Sequence, residues 1–139
     1  MSVRYVNTIS AQDYVELRAL TNWPPYSVRQ MQIGLEKTDY VIAAMDGEKA
    51  VGAARLICDG ASYGIIGDVI VRPEYRGCGI GQHMINSIIE YVKSRLEPGE
   101  SFGLTLMAAQ NRESFYEQMG FRNRPDDSHG HGMAMRIFA

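Results

Sequence analysis

Two hydrophobic periods alternate along this chain, and their order predicts the fold. "VRYVN" (3–7) alternates apolar and polar positions as a half-buried strand does. Helical spacing then takes over. "SAQDYVELRAL" opens with Ser10 as a cap and Asp13 in the first turn. "SVRQMQIGLEK" carries a capping box, Ser27 with Gln30, and sets Val28, Met31 and Leu35 on one face. Between them "NWPPY" (22–26) must be a loop, because two prolines bar regular structure. The middle returns to period two, with "YVIAAM" (40–45), a turn at Asp46 and Gly47, "AVGAARLI" (50–57) and, after "CDGAS", "YGIIGDVIV" (63–71). Aspartate followed by glycine supplies the positive φ of a type I′ turn, so these runs predict an antiparallel meander.

Ile80, Met84, Ile85, Ile88, Ile89, Val92 and Leu96 then keep helical spacing until "PG" (98–99), and "FGLTLMAA" (102–109) reads as a strand. Strand, long helix and strand imply a right-handed parallel crossover. "NRESFYEQM" predicts a short helix capped by Asn111 and ended by Gly120, and "FRNR" and "MAMRIF" predict two last strands. The expected fold is α/β, a mixed, mostly antiparallel central sheet with one parallel β-α-β crossover. A chain of 139 residues suits one domain, 1–139.

Charge and composition narrow the partners. A net charge of −2 without a lysine or arginine block argues against nucleic acid and anionic membrane surfaces. No apolar run approaches the ~18 residues of a membrane span, and "MSVRYVNTIS" lacks a signal-peptide core. Cys58 and Cys78 make no disulfide framework; as free thiols they predict a reducing, cytoplasmic setting.

The chemistry starts at "VRPEYRGCGIGQHMINSIIEYV" (71–92), where Gly77, Gly79 and Gly81 follow Arg76 at the start of the long helix. Glycine there costs about 1 kcal/mol against alanine. An anion held on bare backbone offsets that cost: a first helical turn offers unpaired N–H groups and about half a positive charge, and Arg76 adds charge-assisted hydrogen bonds. The plainer alternative is a flexible strand-to-helix joint. A P-loop needs Gly-Lys-Ser/Thr, which is absent. The dinucleotide fingerprint needs G-x-G-x-x-G tight against its strand, whereas here "RPEYR" intervenes and the spacing is G-x-G-x-G.

This segment resembles the acyl-coenzyme A loop of the GNAT superfamily of N-acetyltransferases, whose pattern Q/R-x-x-G-x-G/A is filled by Arg76, Gly79 and Gly81. "NRESFYEQMGF" (111–121) is similar to the family's C-terminal "FYEKxGF" box, and the order of elements agrees over nearly the whole chain. Many members carry N-x-x-A-x-x-L/F-Y; Asn111 stands only five residues before Tyr116, a spacing closer to the glucosamine-phosphate acetyltransferase type. The resemblance implies acetyl-CoA as co-substrate. It implies a cofactor site of Val69, Ile70 and Val71, of Arg76, Gly77, Cys78, Gly79, Ile80, Gly81 and Gln82, and of Asn111, with a splayed sheet holding the pantetheine arm.

Acetyl transfer to nitrogen makes three demands. With a pKa near 10.4, only about 1 amine in 10³ to 10⁴ is neutral at pH 7, so a base must help. An oxyanion needs donors, which the backbone of Val69–Val71 can supply, and a thiolate must leave. Asp68 is the only acid in "YGIIGDVIV" and matches the Asp of an "EDIAV" segment in the glucosamine-phosphate type, with Gly67 in place of Glu. It is the candidate base, acting directly or through water; the alternative is an Asp that orders backbone or Arg55. Tyr116 is the candidate proton donor to the thiolate, a role the resemblance assigns, against a core aromatic beside Phe115.

For the acceptor, Trp23 and Tyr26 in "TNWPPYS" can wall an amine, or simply pack. Arg55 can hold an anionic group, or lie on a solvated strand face. "DDSHGH" (126–131) reads as a polar turn, since no second cluster completes a coordination shell, and no metal is expected. The expected function is N-acetyl transfer from acetyl-CoA to a primary amine of a small-molecule acceptor, by direct attack through a tetrahedral intermediate. A peptide or lysine N-acetyltransferase and a non-catalytic CoA-binding sensor are the alternatives. Monomer and homodimer both stay open.

Overall fold

Ser10 and Ser27 start the first two helices as their spacing predicts, each accepting a hydrogen bond from the backbone N–H three residues on, at 3.0 Å in both cases. The computed structural model describes residues 2–139. Its elements are β1 (Val3–Val6), α1 (Ala11–Arg18), α2 (Val28–Glu36), β2 (Tyr40–Asp46), β3 (Lys49–Cys58), β4 (Tyr63–Val71), a single 3₁₀ turn (Pro73–Tyr75), α3 (Ile80–Ser94), β5 (Gly103–Leu106) and α4 (Glu113–Glu117). The chain divides into two compact units, one ending at Met107 and one running Ala108–Ala139.

In the first unit the strands form one sheet in the order β1-β2-β3-β4-β5. All neighbours are antiparallel except β4 and β5, which are parallel and joined through α3. This is the α/β fold that the two periods predict. Ala53 packs in a cluster with Tyr14 and Leu17 of α1, Met31 of α2 and Ile70 of β4. A Cβ on its neighbour Gly52 would instead meet Ile80 and Met84 of α3, both at 3.4 Å. Adjacent strand residues point to opposite faces, so α1 and α3 cover opposite sides of the sheet. On α3, Ile80, Met84, Ile85, Ile88 and Val92 are buried, the stripe that helical spacing marks out.

Several local expectations are corrected. Asp46 pairs with Lys49, so the hairpin loop is Gly47 and Glu48, one residue later than read, and only Gly47 has positive φ (60°). A type I′ turn needs positive φ at both central residues, so this turn is of another type. Val28 of α2 is 42% exposed and leaves Met31 as that helix's buried residue. β5 stops at Leu106 instead of reaching residue 109.

In the second unit α4 is capped at Arg112 without a side-chain bond, while Asn111 takes a left-handed φ of 68°. Asn111 is thus a turn residue, a conformation asparagine tolerates better than most, and not the cap. No strand forms at "FRNR" or "MAMRIF" among the described residues. Alternation marks a face that a neighbouring strand could cover, but a strand exists only with a partner ladder. Here Arg124 Nε donates to the Gly130 carbonyl (2.8 Å), closing a loop, and Met133, Met135, Ile137 and Phe138 are 80–88% exposed. Asp126 and His129 lie inside that loop, with Nδ1 of His129 2.8 Å from the carboxylate, and form the expected polar turn.

Candidate active site

β4 and β5 stay paired only from Tyr63 with Gly103 to Ile66 with Leu106. β4 runs on to Val71, held from there on the β3 side alone, so the β5-facing edge of residues 67–71 has no strand partner among the described residues. Ladder N–H and C=O groups on such an edge suit an extended, amide-bearing ligand arm. Register adds a second feature. Ala53 faces Ile70 while Arg55 faces Gly67, so Asp68 and Val69 together oppose Ala54. This bulge holds Asp68 at φ 57°, an uncommon conformation for a residue other than glycine, and re-aims its side chain.

Past residues 72–76 the chain enters the glycine loop that leads into α3 at Ile80. Gly77 has φ 77° and Gly79, the N-cap of α3, has φ 81°. A Cβ at either would meet nothing within 4 Å. Backbone conformation, not crowding, is what requires glycine here, and the space over the loop is open. Gly79 offers no side chain as cap, so the first-turn N–H groups of Ile80, Gly81 and Gln82 keep the helix's unpaired donors and its positive pole. Arg76 is exposed and anchored by Nε to the Val71 carbonyl (3.2 Å), which places its guanidinium beside the loop. Cys78 is exposed and its Sγ lies 3.7 Å from the Arg76 carbonyl oxygen. An open strand edge leading into a bare helix N-terminus with an arginine fits a ligand that ends in phosphates.

On the α1 side the structure joins Asp68 to Arg55, the alternative weighed for that aspartate, and adds Tyr14 and Arg18 to the pair. Asp68 accepts from the Tyr14 hydroxyl (3.2 Å), from Arg18 Nη1, and from Arg55 Nε (3.3 Å), with Arg55 Nη2 at 3.2 Å. The Tyr14 and Arg55 contacts fall on Oδ2 and the Arg18 contact on Oδ1. Side-chain exposure is 5% for Arg18, 13% for Arg55 and 14% for Asp68. Arg55 is therefore a half-buried ion-pair partner and not on a solvated face. Burial, then the Asp68 charge, pushes the Tyr14 hydroxyl far above its ordinary value, so it stays a donor. Trp23 and Tyr26 are half-buried and pack over the Arg18 guanidinium, with ring centroids 5.4 and 4.3 Å away. Tyr14 and Arg18 escaped the sequence reading, although their i, i+4 spacing beside Leu17 puts both on the inner face of α1.

Tyr116 lies on α4 in the second unit, half-buried, with Phe115 and Phe121 edge-on at 5.0 and 6.0 Å. Burial raises its hydroxyl pKa, and the charge of Arg112 opposes the shift.

The family comparison now bears on this arrangement: the model of the acetyltransferase (GNAT) domain matches residues 37–123, from before β2 to beyond α4. The chain belongs to the GNAT family. It is 27% identical over 126 residues to the uncharacterized N-acetyltransferase ycf52 of Pyropia yezoensis, covering 88% of this chain and 70% of that protein. It is 32% identical over 80 residues to the glucosamine 6-phosphate N-acetyltransferase of Trypanosoma brucei brucei, covering 53% of this chain and 52% of the relative. A probable acetyltransferase of Staphylococcus aureus, SA2161, shares the fold with a TM-score of 0.86 at 23% identity, over 98% of this chain and all of that one. The GNAT chain described here is an acyltransferase, and its family implies acetyl-CoA as the acyl donor.

Proposed function

We propose that this GNAT protein moves the acetyl group of acetyl-CoA to a primary amine of a small molecule. The observation that carries the reading is the continuity of the open β4 edge with the α3 N-terminus. Acetyl-CoA supplies a thioester on an amide-bearing arm that ends in a pyrophosphate. The backbone of Val69, Ile70 and Val71 pairs with the arm and donates to the acetyl oxygen. Arg76, Gly77, Cys78, Gly79, Ile80, Gly81 and Gln82 surround the pyrophosphate, and Asn111 stands at the turn into α4 as a further contact. Trp23 and Tyr26 wall the amine, and Tyr116 returns a proton to the leaving thiolate.

The base is reassigned. Asp68 is committed to three protein donors, Oδ2 to Tyr14 and Arg55 and Oδ1 to Arg18, rather than aimed at an acceptor amine. We read it as the hub that shapes the acceptor side, with water against backbone carbonyls of β4 taking the amine's proton. Small acceptors fit the short, proline-stiffened loop 22–26, and the relative that acts on glucosamine 6-phosphate supports them. A peptide acceptor is the second reading, favoured by 27% identity over 133 residues to the histone acetyltransferase TAP1 of Glycine max.

The test is thiol release from acetyl-CoA with polyamines, arylalkylamines, amino sugars, amino acids and lysine peptides. Release that depends on a small amine supports the reading; release only with peptides moves it to the second. Binding of acetyl-CoA with no release for any acceptor makes the protein a sensor.

Two substitutions probe the phosphate end. Arg76→Ala weakens acetyl-CoA binding by about tenfold, the worth of a charge-assisted hydrogen bond, and leaves acetyl-pantetheine, which lacks the pyrophosphate, unchanged. Equal losses by calorimetry would make Arg76 only an anchor for the Val71 carbonyl. Gly79→Val is a poor probe, because its φ of 81° strains any branched residue and unfolding is mixed with lost binding. Gly81 lies inside α3, so Gly81→Ala crowds the anion without that strain and should lower acetyl-CoA affinity in a folded protein.

A further inference from the structure

Arg18 is a buried cation in the last turn of α1, and nothing in the transfer chemistry above uses it. The helix C-terminus favours a positive charge, but that attraction does not require a buried side chain. Its neighbours are more specific. Nη1 is paired with Asp68 on the β4 bulge, and Nη2 donates to the Pro24 carbonyl at 2.9 Å. Tyr26 and Trp23 cover the guanidinium from the loop side. Nε is buried without a hydrogen-bond partner. A buried ion pair is often no more stable than apolar residues of the same volume, and an orphaned N–H lowers its worth further. Stability alone therefore gives no reason for arginine at this position, whereas geometry does. One planar fork reaches the strand beside the thioester edge and the loop that walls the acceptor at the same time.

We propose that Arg18 is the positioning residue of the acceptor site, fixing the Trp23–Tyr26 loop to β4 through Asp68. This rests on the reading of that loop as the acceptor wall. Arg55 extends the same hub on its other side: Nη1 lies 3.4 Å from Thr38 Oγ1, and a Cβ on Gly34 of α2 would sit 3.2 Å from that nitrogen. Asp68 thereby draws on both ends of the α1–α2 segment. The place of the acceptor wall depends on one carboxylate, while the phosphate end of the site is built from other residues.

Trp23 is the chain's single tryptophan, so its fluorescence reports the loop directly. Arg18→Met keeps an unbranched apolar stem and removes both bonds. Arg18→Lys keeps the charge beside Asp68, but its single ammonium lacks the fork that spans Asp68 and the Pro24 carbonyl. In both variants Trp23 emission shifts to the red and acrylamide quenching rises, with acetyl-CoA affinity unchanged. With the panel amine that the wild type acetylates fastest, the acceptor KM rises by about tenfold as the placed-loop fraction falls, and kcat at saturation stays within about twofold. Wild-type emission and quenching in either folded variant overturns the proposal, as does a loss confined to kcat. If no panel amine is turned over, the transferase reading fails, yet the Trp23 signal still decides whether Arg18 holds the loop. Should Arg18→Met not fold, Arg18→Lys carries the same test with the ion pair retained.

Discussion

Tyr116→Phe lowers kcat by about 10² to 10⁴, the usual worth of a general acid, with little change in the KM for acetyl-CoA. The substitution keeps the ring, so the edge-on packing with Phe115 and Phe121 survives and only the proton is lost. An acyl donor with a more acidic thiol needs less protonation and should recover part of the rate in the variant. The pH dependence follows from the sign of the shift. Burial raises the Tyr116 pKa above its ordinary 10, so the phenol keeps its proton across the neutral range. A donor is active while protonated, so the Tyr116-dependent rate falls only as pH rises past 10. A basic limb below pH 9 that disappears in Tyr116→Phe would contradict the assignment. A loss below about threefold, or one confined to KM, would make Tyr116 a packing residue.

Asp68→Asn destabilises the fold by about 3 kcal/mol, because it leaves Arg18 and Arg55 without their shared carboxylate. For a domain of this size that is a fall in Tm of about 10 °C. Asparagine keeps the shape of aspartate, so the loss reports charge. A general base predicts the reverse pattern, an unchanged Tm and a collapse of rate on the acidic limb. Thermal melts beside pH–rate profiles separate the two. An unchanged Tm with a lost rate would restore Asp68 as base.

These two residues show what the sequence can and cannot reveal. The meander over residues 40–71 announces itself as apolar runs cut by turn residues, continuous where β3 is buried over 50–54, and α3 announces itself by a stripe that is in fact buried. The glycine loop is legible because helix ends and glycine φ are local properties. What failed depends on distant partners. The bulge at Asp68 is one extra residue in a register set by β3, and no local pattern marks it. Arg18 looks like an ordinary last-turn cation until Asp68 and the loop close over it. "MAMRIF" alternates as strands do but has no neighbour to pair with among the described residues, and Asn111 is drawn off the cap position by its own left-handed turn. At the site, the phosphate loop could be read along the chain; of the three residues around the Asp68 carboxylate only Arg55 could be weighed as a partner, and Tyr14 and Arg18 could not.

The measurement that bears most directly on the account is acetyl transfer itself, followed with the label in the acetyl group. Wild-type protein is incubated with acetyl-labelled CoA thioester and the amine panel, and label on the amine is compared with free thiol. The account predicts one labelled amide per thiol released, both lost together in Tyr116→Phe. Thiol release at the same rate without any amine, or label that never leaves the thioester, would contradict it.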